Sequence, residues 1–166
     1  SSWRGPLGAP KDFEIGRICI EAKARRGAAK PYIAINSEHQ LDENGTDALF
    51  LYVVELDKTP SENIEGYSLS EVASRVRSKL EAADNAAVAT YEELLISAGF
   101  RWEDDYSDVR WIEGSSRFFQ VSGNFPRITA QKVMPGVSEV KYSISLIECE
   151  PFLVTDNALE TALGEK

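Results

Sequence analysis

Apolar and polar residues alternate with a period of two over Asp12 to Ile15 and again over Ile18 to Ala24, which predicts two short strands. Gly16-Arg17 between them has the length and residue type of a two-residue hairpin loop. That loop sets a register in which Ile15 faces Ile18, Glu14 faces Cys19, Phe13 faces Ile20 and Asp12 faces Glu21. One face then carries Phe13, Ile15, Ile18, Ile20, Ala22 and Ala24 and is expected to meet the core. The other carries Asp12, Glu14, Cys19, Glu21 and Lys23.

The rest of the chain supplies the layers around this hairpin. Residues 1–11 are rich in Gly and Pro and predict an extended lead-in. Tyr32 to Asn36 predicts a third strand, and Ser37 to Leu41 a short helical turn capped by Ser37. Ala48 to Leu56 is a continuous apolar run, the pattern of a buried central strand. Ser68-Leu69-Ser70-Glu71 is a capping box, and Leu69, Val72, Ala73, Val76 and Leu80 recur at helical spacing, so a helix is expected from Leu69 to Ala82. A second helix begins at Asp84 or Asn85, carries Val88, Tyr91, Leu95 and Ala98, and stops at Gly99. Arg117 to Val121 predicts a strand, Thr129 to Val133 a short helical turn, Val140 to Ile147 a final alternating strand, and the tail from Thr155 is helix-like or frayed. Strands interleaved with two successive helices predict an α/β domain with a mixed sheet of five or more strands flanked by helices.

The polar face of the hairpin has a chemical consequence. In the expected register Asp12 and Glu21 stand opposite each other with β-carbons about 4.5–5.5 Å apart, and like charges so placed repel. A divalent cation held between them converts that cost into a site, because hard oxygen ligands suit Mg²⁺ and Mn²⁺. Lys23, two residues beyond Glu21 on the same face, reaches toward a phosphate or an attacking water.

Asp12, followed by Glu21-Ala22-Lys23 at the end of the second strand, resembles the D…ExK core of the PD-(D/E)XK nuclease superfamily. The wider string from Gly5 to Gly16, then Ile20 to Lys23, Ser37 to Leu41 and Trp102 to Gly114, resembles a group of bacterial proteins assigned to that superfamily. The resemblance implies a restriction-endonuclease-like fold and metal-dependent phosphodiester hydrolysis. In it Mg²⁺ or Mn²⁺ would be held by Asp12, Glu21 and the Ala22 carbonyl, with Lys23 as the catalytic lysine. Gln40 matches loosely a polar residue that approaches the site from the helix after the core strands. DNA is the implied substrate, in a restriction or defence setting, with a homodimer or a defence-system protein as partner. The alternative is a non-catalytic domain of the same fold that binds nucleic acid or a partner protein. The chain departs from the pattern where Lys11 separates Pro10 from Asp12, and where Ala22 occupies a position often β-branched. Many superfamily members add an acid from an upstream helix. Only eleven residues precede Asp12, so residues 1–166 are expected to form a single domain lacking an N-terminal helix or segment of a longer protein.

Composition narrows the picture further. The chain has 166 residues, 43% of them hydrophobic and 27% charged, enough for one core without staples. No apolar run reaches the ~18 residues of a membrane span, so no membrane association is expected. Cys19 and Cys149 are too few for a disulfide framework, and a reduced, cytoplasmic setting is expected. His39 is the single histidine, which argues against a histidine-ligated zinc centre and against a histidine triad. The net charge of −9 argues against nonspecific coating of nucleic acid. It leaves room for local contacts, and Arg25, Arg26 and Lys30 just after the site strand are candidates for the DNA backbone. The acidic stretch Trp102 to Asp108 lacks the spacing of an EF-hand and reads as a surface turn.

Overall fold

The computed structural model describes residues 2–62, 64–155 and 157–164. The Gly16-Arg17 loop joins β1 (Phe13–Ile15) to β2 (Ile18–Arg25), with Phe13 paired to Ile20, Glu14 to Cys19 and Ile15 to Ile18. Gly16 adopts φ 62°, a conformation open to glycine at little cost, which is why the chain can reverse there in so few residues.

The apolar run at 48 becomes β4 (Ala48–Thr59), which lies parallel to β2 and antiparallel to β5 (Arg110–Gln120). With β7 (Leu153–Val154) beyond β5, the main sheet has five strands in the order β1-β2-β4-β5-β7 and is mixed. Strand β5 starts at Arg110 rather than Arg117. Its first half, with Glu113-Gly114-Ser115-Ser116, has no alternation to announce it, but it follows β4 past a register shift between Val54 and Leu56. There Ser115 Oγ donates to Glu55 Oε2 at 2.7 Å, and a Cβ on Gly114 would stand 3.2 Å from that of Glu55.

The expected third strand forms as β3 (Tyr32–Ile35), yet it leaves the main sheet and pairs antiparallel with β6 (Tyr142–Ser145). The alternation from Val140 to Ile147 therefore overstates this strand, which is also followed by a further one. Leu146 opens the single-turn helix α3 (Leu146–Cys149), its N–H donating to the Pro31 carbonyl at 2.8 Å while Leu146 and Cys149 are fully buried. Helix α4 (Asn157–Leu163) follows β7.

The two faces of β2 are assigned differently from the alternation pattern. Ile18 and Ile20 meet only a small cluster with Phe50, Phe118, Ala158 and Leu159. The larger core lies on the opposite face, where Cys19 joins Leu49, Leu51, Val53, Phe119 and Val121. Ile33, Ile35, Leu41 and Ile144 roof that face, so a small sheet made from distant segments buries the strand side that carries the charges.

Helix α1 (Leu69–Ala83) has the expected capping box, with Glu71 N–H donating to Ser68 Oγ and Ser68 N–H to Glu71 Oε2. Helix α2 (Ala86–Ser97) packs against it through Tyr91, whose hydroxyl donates to the Ala73 carbonyl at 3.2 Å. On α1 only Ala73 is buried; the rest of the apolar stripe lines a groove of about 700 Å³ shared with Trp3, Phe13 and Tyr91. No described helix is long and apolar enough to cross a membrane.

Candidate active site

Asp12 lies just outside β1, and the β1–β2 ladder ends at Phe13 and Ile20, one pair short of Asp12 and Glu21. The link is made by the side chain instead: Asp12 Oδ2 accepts the Ala22 N–H at 2.9 Å. The Asp12 carbonyl turns the other way and accepts N–H groups from Arg4 at 2.7 Å and Gly5 at 3.1 Å. The lead-in is therefore no free extended arm. Trp3 forms a bridge to Phe13, and residues Gly5–Leu7 make a single 3₁₀ turn over Asp12.

Glu21 is paired in register with Leu51 and is fully buried on the face of the larger core. Neither of its carboxylate oxygens has a hydrogen-bond partner among the described residues, although the Lys23 ammonium lies 2.8 Å from Oε1. Burial raises its pKa to about 7; the Lys23 charge opposes that shift and the Asp12 carboxylate adds to it. Buried carboxylates without hydrogen bonds are expensive and rare, and where they persist they mark sites that expect a ligand. A buried carboxylate whose close charged partner is the Lys23 ammonium, lying beside Asp12 and the Ala22 peptide, offers hard oxygens that fit a divalent cation. Among the described residues no group of three or more His, Cys, Asp and Glu side chains converges, so the candidate ligand set is two carboxylates and one backbone carbonyl.

The segment 38–41 is a hydrogen-bonded turn rather than a helix, with Gln40 N–H donating to the Ser37 carbonyl at 3.3 Å. Leu41 sits in the core with no exposure and draws the turn down. Gln40 Oε1 then accepts from both the Asn36 N–H at 2.7 Å and Lys23 Nζ at 3.1 Å. Asp12, Glu21, Ala22, Lys23 and Gln40 are thus linked around the middle of β2.

Two neighbours had no signal in the sequence. Lys11 is buried and its ammonium donates to the His39 carbonyl at 3.2 Å, tying the entry of β1 to the Gln40 turn. Glu38 is buried and accepts the Val140 N–H at 2.9 Å; its own backbone N–H first, and that of Val140 next, hold its carboxyl below the usual range. Both contacts join segments far apart in the chain, so no local pattern could have revealed them.

The basic cluster divides. Arg25, expected to face DNA, pairs with Glu55 and donates to the carbonyls of Gly27, Ala29 and Lys30. Its guanidinium is spent on fastening the 26–30 loop to the sheet. Arg26 and Lys30 remain exposed. The acidic stretch is a surface turn: Phe100 stacks on Tyr106 at 4.9 Å and meets Trp102 edge-on at 4.8 Å, while Asp105 Oδ1 accepts the Ser107 N–H.

A mixed five-stranded sheet flanked by helices, carrying Asp12, Glu21 and Lys23 on its first hairpin, defines an α/β domain of restriction-endonuclease-like type. The chain belongs to the family described as "Putative PD-(D/E)XK family member", whose model matches residues 1–147. No curated protein and no solved structure is significantly similar to it. The matched span contains every residue of the site described above, and α4 lies beyond it.

Proposed function

We propose that this protein is a metal-dependent phosphodiesterase that cuts DNA, acting as an endonuclease in a restriction or defence setting. The observation that carries the reading is Glu21, buried with both carboxylate oxygens lacking hydrogen bonds while Lys23 Nζ lies 2.8 Å away. Asp12, Glu21 and the Ala22 carbonyl would hold Mg²⁺ or Mn²⁺. Such an ion polarises the scissile phosphate and lowers the pKa of water. Lys23 orients the attacking water and faces the negative charge that develops on the phosphate. Gln40, bonded to both Asn36 and Lys23, keeps the ammonium at that position. Arg26 and Lys30, exposed on the loop that follows β2, contact the DNA backbone.

The test is incubation with plasmid and linear DNA in Mn²⁺ and in EDTA, beside Lys23→Ala. Cleavage that needs the metal and disappears in the variant supports the reading. Cleavage that survives Lys23→Ala removes it. A second reading, a non-catalytic domain that binds a partner protein, draws on the ligand set of only two carboxylates. It expects neither cleavage nor Mn²⁺ binding.

A further inference from the structure

The N-terminal segment runs alongside β1 and closes on Asp12. Glu14 N–H donates to the Ser2 carbonyl at 2.8 Å, Trp3 bridges to Phe13, and the Arg4 and Gly5 amides both grip the Asp12 carbonyl. The far side of this strap is anchored as well, since the Trp3 ring lies 6.2 Å from that of Tyr91 on α2. After it the chain reverses through Gly8, whose N–H returns to the Gly5 carbonyl at 3.0 Å. The strap is thus bonded to β1 through residues 2–5 and closed on itself at Gly8.

At its centre Gly5 lies against the Asp12 carboxylate. A Cβ on Gly5 would stand 2.6 Å from Asp12 Oδ1, and the next atoms it would meet, at 3.5 and 3.6 Å, also belong to Asp12. Gly5 is not among the residues with positive φ, so its backbone does not itself bar a side chain. The nearest atom a side chain would meet is the Asp12 carboxylate oxygen, and the helical turn directly before Pro6 adds a smaller cost of its own.

We propose that Gly5 is a positioning residue for Asp12: its missing side chain lets the strap close against Oδ1, holding the carboxylate so that Oδ2 stays on the Ala22 N–H beside the metal site. The proposal rests on the metal-site reading given above. A methyl group at position 5 meets the far end of a side chain, which can rotate away, and that rotation gives up the Ala22 bond. The fold survives and the damage falls on the orientation of one ligand.

Four proteins test this: the wild type, Gly5→Ala, Asp12→Ala and the double variant. Mn²⁺ affinity is read from the free-ion electron paramagnetic resonance signal, and stability from urea unfolding in EDTA. We expect Gly5→Ala to unfold cooperatively and to bind Mn²⁺ about tenfold or more weakly, the size typical of a residue that orients a metal ligand. The shift in urea midpoint caused by Gly5→Ala should shrink once Asp12 is alanine, because the group it collides with is gone and only the backbone effect of alanine before Pro6 is left. Equal Mn²⁺ affinity in wild type and Gly5→Ala overturns the proposal, as does the same midpoint shift in both backgrounds. Should the wild type bind no Mn²⁺, the metal-site reading fails by itself, and the unfolding cycle in EDTA still decides whether Gly5 acts through Asp12. Should Gly5→Ala not fold, a folded double variant supports the collision and an unfolded one refutes it.

Discussion

Lys23 Nζ stands 2.8 Å from Glu21 Oε1, with only 13% of the lysine side chain and 1% of the glutamate side chain exposed. A buried pair of this kind is weak evidence for stability, because desolvation of both charges offsets their attraction. Here the balance is visible in Glu21, whose pKa rises from 4.5 to about 7 in spite of the adjacent ammonium. The folded protein keeps the Glu21 proton up to about pH 7 while the unfolded chain releases it near 4.5. Stability of the metal-free protein therefore falls as pH rises through that window, and the whole cost is present above it.

Glu21→Gln keeps the shape and removes the charge. In EDTA at pH 8 it is expected to stabilise the protein by on the order of 3 kcal/mol, with little effect at pH 4.5. Urea unfolding at the two pH values measures this. The same variant should lose Mn²⁺ binding and cleavage, so a gain in stability and a loss of function arrive together. A variant that is less stable at pH 8 than the wild type contradicts the assignment.

Gln40→Ala removes the acceptor shared by Lys23 Nζ and the Asn36 N–H. Loss of these bonds should cost about 1 kcal/mol of stability. The cleavage step should slow by about 10- to 100-fold, the range for a residue that orients a group at the site. Single-turnover cleavage at saturating DNA separates this from weaker binding.

Arg25 and Arg26 are adjacent in sequence and are expected to behave oppositely. Arg25→Ala strips Glu55 and the 26–30 loop of their shared partner and should cost about 3 kcal/mol, as breaking a mostly buried ion pair does. Arg26→Ala should leave the unfolding midpoint unchanged. In DNA binding the order reverses: Arg26→Ala should reduce the slope of log affinity against log salt by about 1, the loss of one phosphate contact. An unchanged slope would remove Arg26 from the proposed interface.

Ser68→Ala removes the side-chain half of the α1 capping box, the Oγ that accepts the Glu71 N–H, and leaves the Ser68 N–H on Glu71 Oε2. It should lower stability by about 1 kcal/mol. Thermal unfolding measures the loss, and cleavage at a temperature well below the transition should be unaffected, since α1 holds no residue of the site.

The hairpin was legible because its determinants are local. Gly16-Arg17 and the alternation on either side set the pairing of Phe13 to Ile20 within a few residues, and the capping box at Ser68 and the helical spacing after it placed α1 to within a residue of its end. The candidate residues at 12, 21, 22 and 23 are near one another in the chain, so strand periodicity was enough to group them.

What local pattern did not contain is the environment of those residues. The alternation of β2 names two faces but cannot say which is buried more deeply, because that depends on where β3, β6 and Leu41 are placed by contacts across more than a hundred residues of chain. The same holds for Arg25, whose sequence neighbours suggest an exposed basic turn and whose partner Glu55 lies on a parallel strand. Sequence by itself determined the hairpin, its register and the residue types offered in the middle of β2. Tertiary structure alone decided that Glu21 is desolvated, that Gln40 meets Lys23, and that Gly5 closes over Asp12. Burial and hydrogen bonding are properties of segments brought together, and the energies that tune a carboxylate arise only when water has been excluded by parts of the chain that the local pattern does not connect.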